Sequence, residues 1–284
     1  MNPANVSADP AEPVTDDRNE RVKKACEFLG PYYNHAETAL VLGTGLAEIA
    51  GQLSHAQVFS YHDIPGFSVS DVPFHPARLH FGTWVQNLCV MQGRYHLYEG
   101  LGFADVVFPI DVLSEIGIKK LILTHAAGSI RKHLLPGSLA CIRDHINLTG
   151  ELFAVFPQAE QKKMFTDLKD MYHSDFCMKA AEHINCVLHP VVLGCISGPA
   201  LPTEAEIGMF RKMGVDVVGM STAPEAVRAR QLGMHVLALT IVTDQSLPGT
   251  MQNVSGREIR QVAETQRPAL KALLKQILTE IDYL

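Results

Sequence analysis

Short runs of apolar residues alternate along the chain with longer segments in which apolar residues recur at helical spacing. The runs consist largely of Val, Ile and Leu, which is typical of strands buried on both faces of a sheet. The predicted strands are residues 39–42, 84–91, 120–124, 139–142, 190–196, 215–219 and 235–242. Strands of this kind need a covering layer on each side, so helices are expected between them.

Helical segments do occupy the intervals between these strands. Thr203 and Glu206 have the spacing of a capping box at a helix N-terminus, and a Gly-Pro pair at 30–31 is typical of a helix end. The predicted helices are residues 17–29, 103–116, 170–184, 203–214, 224–232 and 255–283. Pro109 is expected to kink its helix or to lie near its start, and Pro268 to bend the last helix. The alternation predicts an α/β fold with a largely parallel sheet.

Composition sets the expected domain boundaries. Residues 1–16 are rich in Pro, Ala and acidic residues and are expected to form a disordered tail, which leaves residues 17–284 as a single domain. Residues 148–168 lack a clear period and are predicted to form a long loop. Such a loop in a compact domain is more often functional than idle.

Charge, hydropathy and cysteine content indicate which partners and which cellular compartment to expect. The formal net charge is −6 and no block of Lys and Arg exceeds a pair, so nucleic acid is not an expected partner. No apolar run approaches the roughly 18–20 residues that span a bilayer, and the first residues do not have the pattern of a signal peptide. Six cysteines occur singly, without a C-x-x-C pair. We therefore expect a cytoplasmic protein with reduced cysteines and no membrane partner.

A Gly-Thr-Gly motif at residues 43–45 directly follows the first predicted strand. A dinucleotide fingerprint would need a further glycine at position 48, where this chain has Glu48. Two alternatives stay open: a plain turn, or an anion cradle of backbone N–H groups and the Thr44 hydroxyl.

The segment Gly-Arg-Tyr-His at residues 93–96 ends another predicted strand. The period of two would place Arg94 and His96 on one face, where two donors suit phosphate or carboxylate. The alternative is a salt bridge beside a core histidine. His75 is equally ambiguous by itself.

Residues 219–223, Gly-Met-Ser-Thr-Ala, nearly match the nucleophile elbow of hydrolases. That order requires a histidine after the acid, but the last histidine of this chain, His235, precedes the candidate acid Asp244. A serine hydrolase of that type is therefore not expected. No metal-binding or P-loop motif occurs either, so no metal is predicted.

Taken together and in order, these segments resemble one family. The chain resembles the trimeric purine nucleoside phosphorylases, and the resemblance spans about residue 20 to the C-terminus. It is carried by residues 42–46, 72–75, 91–100, 124–128, 142–148 and 218–225. It implies a central mixed sheet flanked by helices, and a homotrimer with active sites near the subunit interfaces. It also implies a pentosyltransferase of purine salvage. The reaction would be reversible phosphorolysis of a nucleoside to a free base and ribose 1-phosphate, with phosphate as co-substrate and no cofactor.

The resemblance also implies roles for individual residues. The phosphate site would consist of Thr44, Arg94, His96, the backbone N–H of Ala126 and Ser221. His75 would lie beside the phosphate, and Phe165 would cover the sugar of a neighbouring subunit. The ribose and base would be contacted by Tyr98, Met220, Leu201, Pro202 and Asp244. His96 and Asp244 are the expected catalytic residues.

Departures from the family pattern concentrate at the base and at the 5′ end of the sugar. Residues 201–203 read Leu-Pro-Thr where members selective for 6-oxopurines have Phe-Glu-Thr, and Asp244 stands in place of asparagine. Gly256 aligns with the histidine that meets the 5′-hydroxyl. His125 and Ser129 replace an asparagine and a glycine.

These departures predict altered or relaxed base specificity. An aspartate donates to purine N7 when protonated and accepts from a 6-amino group, and methylthioadenosine phosphorylases have Asp after Thr at this place. The alternative is a non-catalytic paralogue that binds nucleoside or phosphate, and a hydrolase that uses water is a further alternative. The preferred base and the tolerated 5′-substituent stay open.

Overall fold

The computed structural model of the protein describes residues 15–68, 76–153, 165–251 and 253–284. The predicted tail lies outside these ranges, except that its last two residues begin the first helix. The helices are α1 (Thr15–Leu29), α2 (Phe103–Val106), α3 (Phe108–Glu115), α4 (Ser174–His183), α5 (Glu204–Met213), α6 (Ala223–Gln231) and α7 (Gly256–Glu280). The strands are β1 (Thr38–Leu42), β2 (Ser54–Ser60), β3 (Arg78–Trp84), β4 (Gln86–Gln92), β5 (Lys120–Ser129), β6 (Leu139–Asn147), β7 (Leu188–Cys195), β8 (Val217–Gly219) and β9 (His235–Gln245).

Within the described residues, nine strands form one mixed sheet in the order β2-β3-β4-β1-β5-β8-β7-β6-β9. Because β9 also pairs with β5, the strands β5, β8, β7, β6 and β9 close into a ring. Pairing is parallel between β1 and β4, β1 and β5, β5 and β9, β6 and β7, and β7 and β8. The remaining pairs are antiparallel. The expected α/β fold with a central mixed sheet flanked by helices is confirmed.

Strand β1 shows why the apolar runs are continuous. Ala39 and Val41 belong to one core cluster, whereas Leu40 and Leu42 belong to the cluster on the opposite face. Helices α1, α3 and α6 pack on the first face, and α4 and α7 pack on the second. Both faces of the central strands are therefore covered, as the pattern predicts.

Several predicted bounds are wrong. The predicted strand 84–91 is β4, and the structure adds β2 and β3 before it. The predicted helix 103–116 is broken at Val107, because Pro109 at the start of α3 lacks the N–H that would continue the helix. The predicted helix 170–184 begins only at Ser174. Helix α7 runs through Pro268, and the bend expected there stays a prediction. Among the described helices, none is long and apolar enough to cross a membrane.

Helix α1 is fixed to the domain by charged contacts. Asp111 on α3 accepts hydrogen bonds from Arg18 of α1 and from Nε of Arg228 on α6, the latter at 2.5 Å. Arg18 also donates to the Ala104 carbonyl at 2.7 Å. Burial lowers the pKa of Arg18, and the adjacent Asp111 carboxylate opposes that shift. The carboxylate of Asp111 thus joins three helices.

Candidate active site

A cavity of about 200 Å³ opens where the parallel strands β1, β5 and β9 end. In parallel sheets the carboxyl ends of strands are the usual place for a ligand. The predicted site residues that line this cavity are Thr44, Arg94, His96, Tyr98, Ala126, Leu201, Pro202, Met220, Ser221 and Asp244. The fold therefore brings together residues from distant parts of the chain.

Two predicted residues are not among the lining. The side chain of Phe165 is 90% exposed and contributes nothing to the cavity of its own chain. His75 lies outside the described residues. The expectation that Phe165 covers the sugar of a neighbouring subunit concerns a contact between chains and stays a prediction.

The Gly-Thr-Gly turn is built by close approach of two other elements. A Cβ on Gly43 would lie 2.7 Å from the Thr124 carbonyl oxygen, and a Cβ on Gly45 would lie 2.6 Å from Cβ of Ala263. Gly45 also has φ of +78°, which favours glycine. Gly43 and Thr44 line the cavity, which is where an anion cradle would have to lie, and the cradle itself stays a prediction.

The guanidinium of Arg94 is held rigidly in the wall of the cavity. Its side chain is buried, and Nη1 lies 3.1 Å from Oε2 of the buried Glu225. Nη1 also donates to Ser221 and Thr222, and Nη2 donates to the backbone carbonyl of Thr124 at 2.7 Å. Its Nε–H has no partner among the described residues. The period-two argument is not what places Arg94, because β4 ends at Gln92.

Ser221 is presented by a sharp turn between β8 and α6. Thr222 has φ of +78° and ψ of −53°, and the N–H of Ala223 bonds to the Ser221 carbonyl at 3.0 Å. A threonine in this conformation is strained, and such strain is common at functional sites. The Thr222 backbone N–H donates to Oε2 of Glu225 at 3.2 Å, which holds the turn. The likeness to a nucleophile elbow is thus limited to the order of strand, turn and helix.

His96 is oriented by the carboxylate of Glu99. Oε1 of Glu99 accepts from the His96 backbone N–H at 2.6 Å and lies 3.1 Å from Nδ1. The imidazole stacks on the ring of Tyr98 with the centroids 4.6 Å apart. A Cβ on Gly198 would lie 2.4 Å from Met220 Sδ and 3.1 Å from Tyr98 Cδ1. The two predicted ribose contacts are therefore neighbours, beside His96.

A bulge in β9 sets the position of Asp244. Ala127 on β5 pairs with Val242, but the next residue, Gly128, pairs with Asp244, so Thr243 is an extra residue in the strand. Bulges of this kind redirect side chains near active sites. A Cβ on Gly128 would lie only 2.7 Å from Asp244 Oδ2, so this carboxylate needs the glycine opposite it.

The chemistry of Asp244 is set by burial. Desolvation raises the pKa of its carboxyl group, and a hydrogen bond from the Thr243 hydroxyl, at 2.9 Å, opposes the shift. The surrounding wall is largely apolar, formed by Ile130, Ile196, Ile207, Val218, Met251, Val254 and Ile259. Asp244 is the one acidic side chain of the described cavity lining.

His125 is a cavity residue that the predicted site did not include. It is buried on β5, next to Ala126, and is one of the residues that line the cavity. The available signal was the replacement of asparagine by histidine in the Thr-His-Ala-Ala-Gly segment. As for metals, the described residues contain no group of three His, Cys, Asp or Glu side chains that could hold an ion.

The chain that forms this cavity is similar to proteins of a known family. A family profile described as the phosphorylase superfamily matches residues 37–279. The chain belongs to the phosphorylase superfamily. The match begins only after α1, so the helix that Asp111 fixes lies outside the part of the phosphorylase that the profile recognises.

Curated relatives match the phosphorylase over nearly its full length. It is 32% identical to "Purine nucleoside phosphorylase 1" of Bacillus subtilis (strain 168) over 269 residues, covering 93% of this chain and 99% of that protein. It is 34% identical to "Purine nucleoside phosphorylase 1" of Geobacillus stearothermophilus over 263 residues, covering 90% and 96%.

Solved structures share its fold. A Schistosoma mansoni purine nucleoside phosphorylase in complex with adenosine has a TM-score of 0.85 and 29% identity, covering 92% of this chain and 97% of that one. Isoform 2 from the same organism, in complex with cytosine and ribose-1-phosphate, has a TM-score of 0.86 and 28% identity, covering 92% and 96%. The expected family resemblance, nucleoside phosphorylase fold and pentosyltransferase class are confirmed.

Proposed function

We propose that the protein catalyses reversible phosphorolysis of purine nucleosides, with its base specificity shifted towards 6-aminopurines. The observation that carries the proposal is one cavity with a fixed cationic end at Arg94 and a buried carboxyl group at Asp244. Phosphorolysis requires both groups in one cavity, because the nucleoside and the phosphate ion have to bind there together. The names and ligands of the relatives and solved structures support the same reaction.

The phosphate end is organised before any ligand binds. Thr44, Ala126 and Ser221 line the same cavity as Arg94, and the Ser221 hydroxyl accepts a hydrogen bond from Nη1 of Arg94 at 3.3 Å. The buried carboxylate of Glu225 and the backbone carbonyl of Thr124 hold the guanidinium in place beside the Ser221 hydroxyl. Rigid donors aimed at an anion are the usual source of electrostatic stabilisation in such sites. We assign phosphate to this end.

The reaction needs positioning more than a protein nucleophile. A phosphate oxygen forms the new bond to C1′ while the bond from C1′ to the base nitrogen breaks, and the electron pair of that bond stays on the base. The sugar passes through an oxocarbenium-like state, which the adjacent phosphate anion stabilises. A protonated Asp244 donates to N7 and so neutralises the charge that develops on the departing base.

Base choice follows from the hydrogen-bonding groups that Leu201, Pro202 and Asp244 can offer to the base. Pro202 has no side-chain acceptor for the N1–H of a 6-oxopurine, and Leu201 beside it is apolar. An ionised Asp244 accepts from a 6-amino group, and a protonated one donates to N7. We therefore expect adenosine-type nucleosides to be cleaved better than inosine.

Replacement of Asp244 by asparagine tests this assignment. The Asp244→Asn amide cannot ionise and donates to O6 or N7, so kcat/KM for adenosine relative to inosine should fall by about 10- to 100-fold, since one unmatched buried polar group costs about 1–3 kcal/mol. The measurement is phosphate-dependent base release from both nucleosides. Ser246→Ala, at another polar lining residue, serves as the control. An unchanged ratio would contradict the role of Asp244.

The same residue predicts a pH dependence. Because burial raises the pKa of Asp244, its protonated form is present below that pKa and disappears as the pH rises through it. Activity that depends on donation to N7 should therefore decline as the pH rises through the raised pKa of Asp244. A pH profile of kcat/KM for wild type and Asp244→Asn measures this, and the decline should be absent in the variant.

Phosphate dependence separates the proposed reaction from its alternatives. Base release that requires phosphate and yields ribose 1-phosphate supports the phosphorylase, and release without phosphate would indicate a hydrolase. Nucleoside binding with no release would indicate a non-catalytic paralogue. We also propose a cytoplasmic homotrimer, which the resemblance to the trimeric purine nucleoside phosphorylases supports. A solution mass of one chain would overturn the trimer.

A further inference from the structure

Helix α5 and the segment that follows β9 form two adjoining parts of the cavity wall. The lining includes Leu201 and Pro202, just before α5, and Ile207 within it. Met251, in the segment after β9, also lines the cavity and packs against a buried apolar cluster that includes Ile207 and Phe210 of α5. The two parts therefore meet beside the proposed base site.

A turn at residues 247–250 gives the segment after β9 its shape. The Thr250 N–H donates to the Leu247 carbonyl at 3.0 Å, and Pro248 and Gly249 are the two central residues. Gly249 has φ of +82°, which favours glycine at this position of a turn. The N–H of Gly249 takes no part in the bond that closes the turn, so it needs another partner.

Glu204, the first residue of α5, provides that partner. Its Oε1 accepts from the Gly249 N–H at 2.6 Å, a short distance of the kind that carboxylate acceptors form. The start of α5 is itself fixed, because the Thr203 N–H donates to Oε2 of Glu206 at 2.7 Å and the Glu206 N–H donates back to the Thr203 hydroxyl at 3.3 Å. Glu204 thus joins a capped helix terminus to the turn.

The residues assigned to phosphate lie on other elements. Thr44 follows β1, Arg94 follows β4, and Ser221 lies between β8 and α6. Asp244 is held by the pairing of β9 with Gly128 of β5. A displacement of the turn away from α5 would therefore widen the cavity around the base and leave these groups in place.

We infer that Glu204 is a positioning residue that holds residues 247–251 against α5 and so fixes the apolar wall around the base. The inference rests on the proposed phosphorylase function and assigns control of base binding to a residue outside the described cavity lining. Without the carboxylate, the Gly249 N–H bonds to water and the turn is free to move. The KM for adenosine should then rise by about 3- to 10-fold, the effect of one net hydrogen bond, while the KM for phosphate stays the same.

The test uses Glu204→Ala and the matched variant Glu204→Gln, whose amide oxygen can accept the same hydrogen bond. Steady-state kinetics give the KM for adenosine at saturating phosphate and the KM for phosphate at saturating adenosine. We expect Glu204→Ala to raise only the first constant and Glu204→Gln to retain most of the wild-type value. Glu182→Ala removes an exposed carboxylate from α4, outside the described cavity lining, and should leave both constants unchanged.

Hydrogen exchange tests the contact without a catalytic step. In the peptide that covers residues 245–251, exchange followed by mass spectrometry should be faster in Glu204→Ala than in the wild type and in Glu204→Gln. If the wild type cleaves no nucleoside, the proposed function fails, and calorimetric titration with adenine replaces the kinetics. Weaker adenine binding in Glu204→Ala than in Glu204→Gln would support the inference, whereas equal affinities or no binding would refute it.

Four results would overturn the inference. The first is an adenosine KM in Glu204→Ala equal to that of the wild type, and the second is a rise in KM for both substrates, which a general loss of structure would produce. The third is an equal rise in Glu204→Ala and Glu204→Gln, which would assign the effect to the charge rather than to the hydrogen bond. The fourth is equal exchange of the 245–251 peptide in the wild type and Glu204→Ala.

Discussion

Replacement of Arg94 by glutamine is expected to reduce kcat/KM for phosphate by about 10²- to 10³-fold, the usual cost of removing one preorganised donor to a reacting anion. The same change leaves Glu225 buried without its cation. Breaking a buried pair by removing one partner costs about 3–5 kcal/mol of the free energy of unfolding. Steady-state kinetics with varied phosphate and denaturant unfolding measure the two effects separately.

A matched double variant distinguishes the catalytic loss from the structural one. In Arg94→Gln combined with Glu225→Gln, two neutral amides replace the buried charges, so much of the lost stability should return. Activity should stay low, because the charge that binds phosphate is still missing. Recovery of activity together with stability would show that Arg94 acts only in folding.

Replacement of Asp111 by alanine is expected to lower the free energy of unfolding by about 3–5 kcal/mol, because a carboxylate buried between two arginines is lost. Arg18 and Arg228 are both largely buried and would keep their charges without this partner. Helix α1 should then detach at lower denaturant concentration than the rest of the domain. Denaturant unfolding followed by circular dichroism measures the loss.

An exposed ion pair provides the control for that experiment. Asp282 contacts Lys120 at 2.9 Å but is 78% exposed, so Asp282→Ala should cost no more than about 1 kcal/mol. Equal losses in the two alanine variants would contradict the role given to burial at Asp111. They would also remove the reason for treating α1 as an integral part of the domain.

The central strands could be predicted from the sequence because both of their faces are apolar. The same criterion missed β2, whose residues are almost all exposed, so that no apolar run marks it. In β3 the polar His80 and the glycine at 82 are buried beside Leu79 and Phe81, which hides the strand from a search for continuous apolar residues. The edge strand β2 and its neighbour β3 are recognised through pairing rather than through local pattern.

The functional site, too, could be predicted from the sequence only in part. The residue types at Thr44, Arg94 and Ser221 could be found from short motifs, and the structure brings them into one cavity. The contact between Arg94 and Glu225 joins positions 131 residues apart and has no local signal. In the same way, no local sequence pattern distinguishes His125, whose ring nitrogens have no hydrogen-bond partner among the described residues, from any other core histidine. Long-range packing decides both cases.

The pairing of β5 with β9 has a consequence for how such a protein can change. Ala126 pairs with Ile241, and two residues along the strand Gly128 pairs with Asp244. The distance between Ala126, in the proposed phosphate site, and Asp244, in the proposed base site, is therefore set by the backbone ladder of the sheet. In contrast, Leu201, Pro202 and Met251 belong to loops. Substitutions in those loops can alter which base enters without altering how far the base lies from the phosphate. Substrate range and bond cleavage are thus separable properties of this scaffold, free to diverge independently.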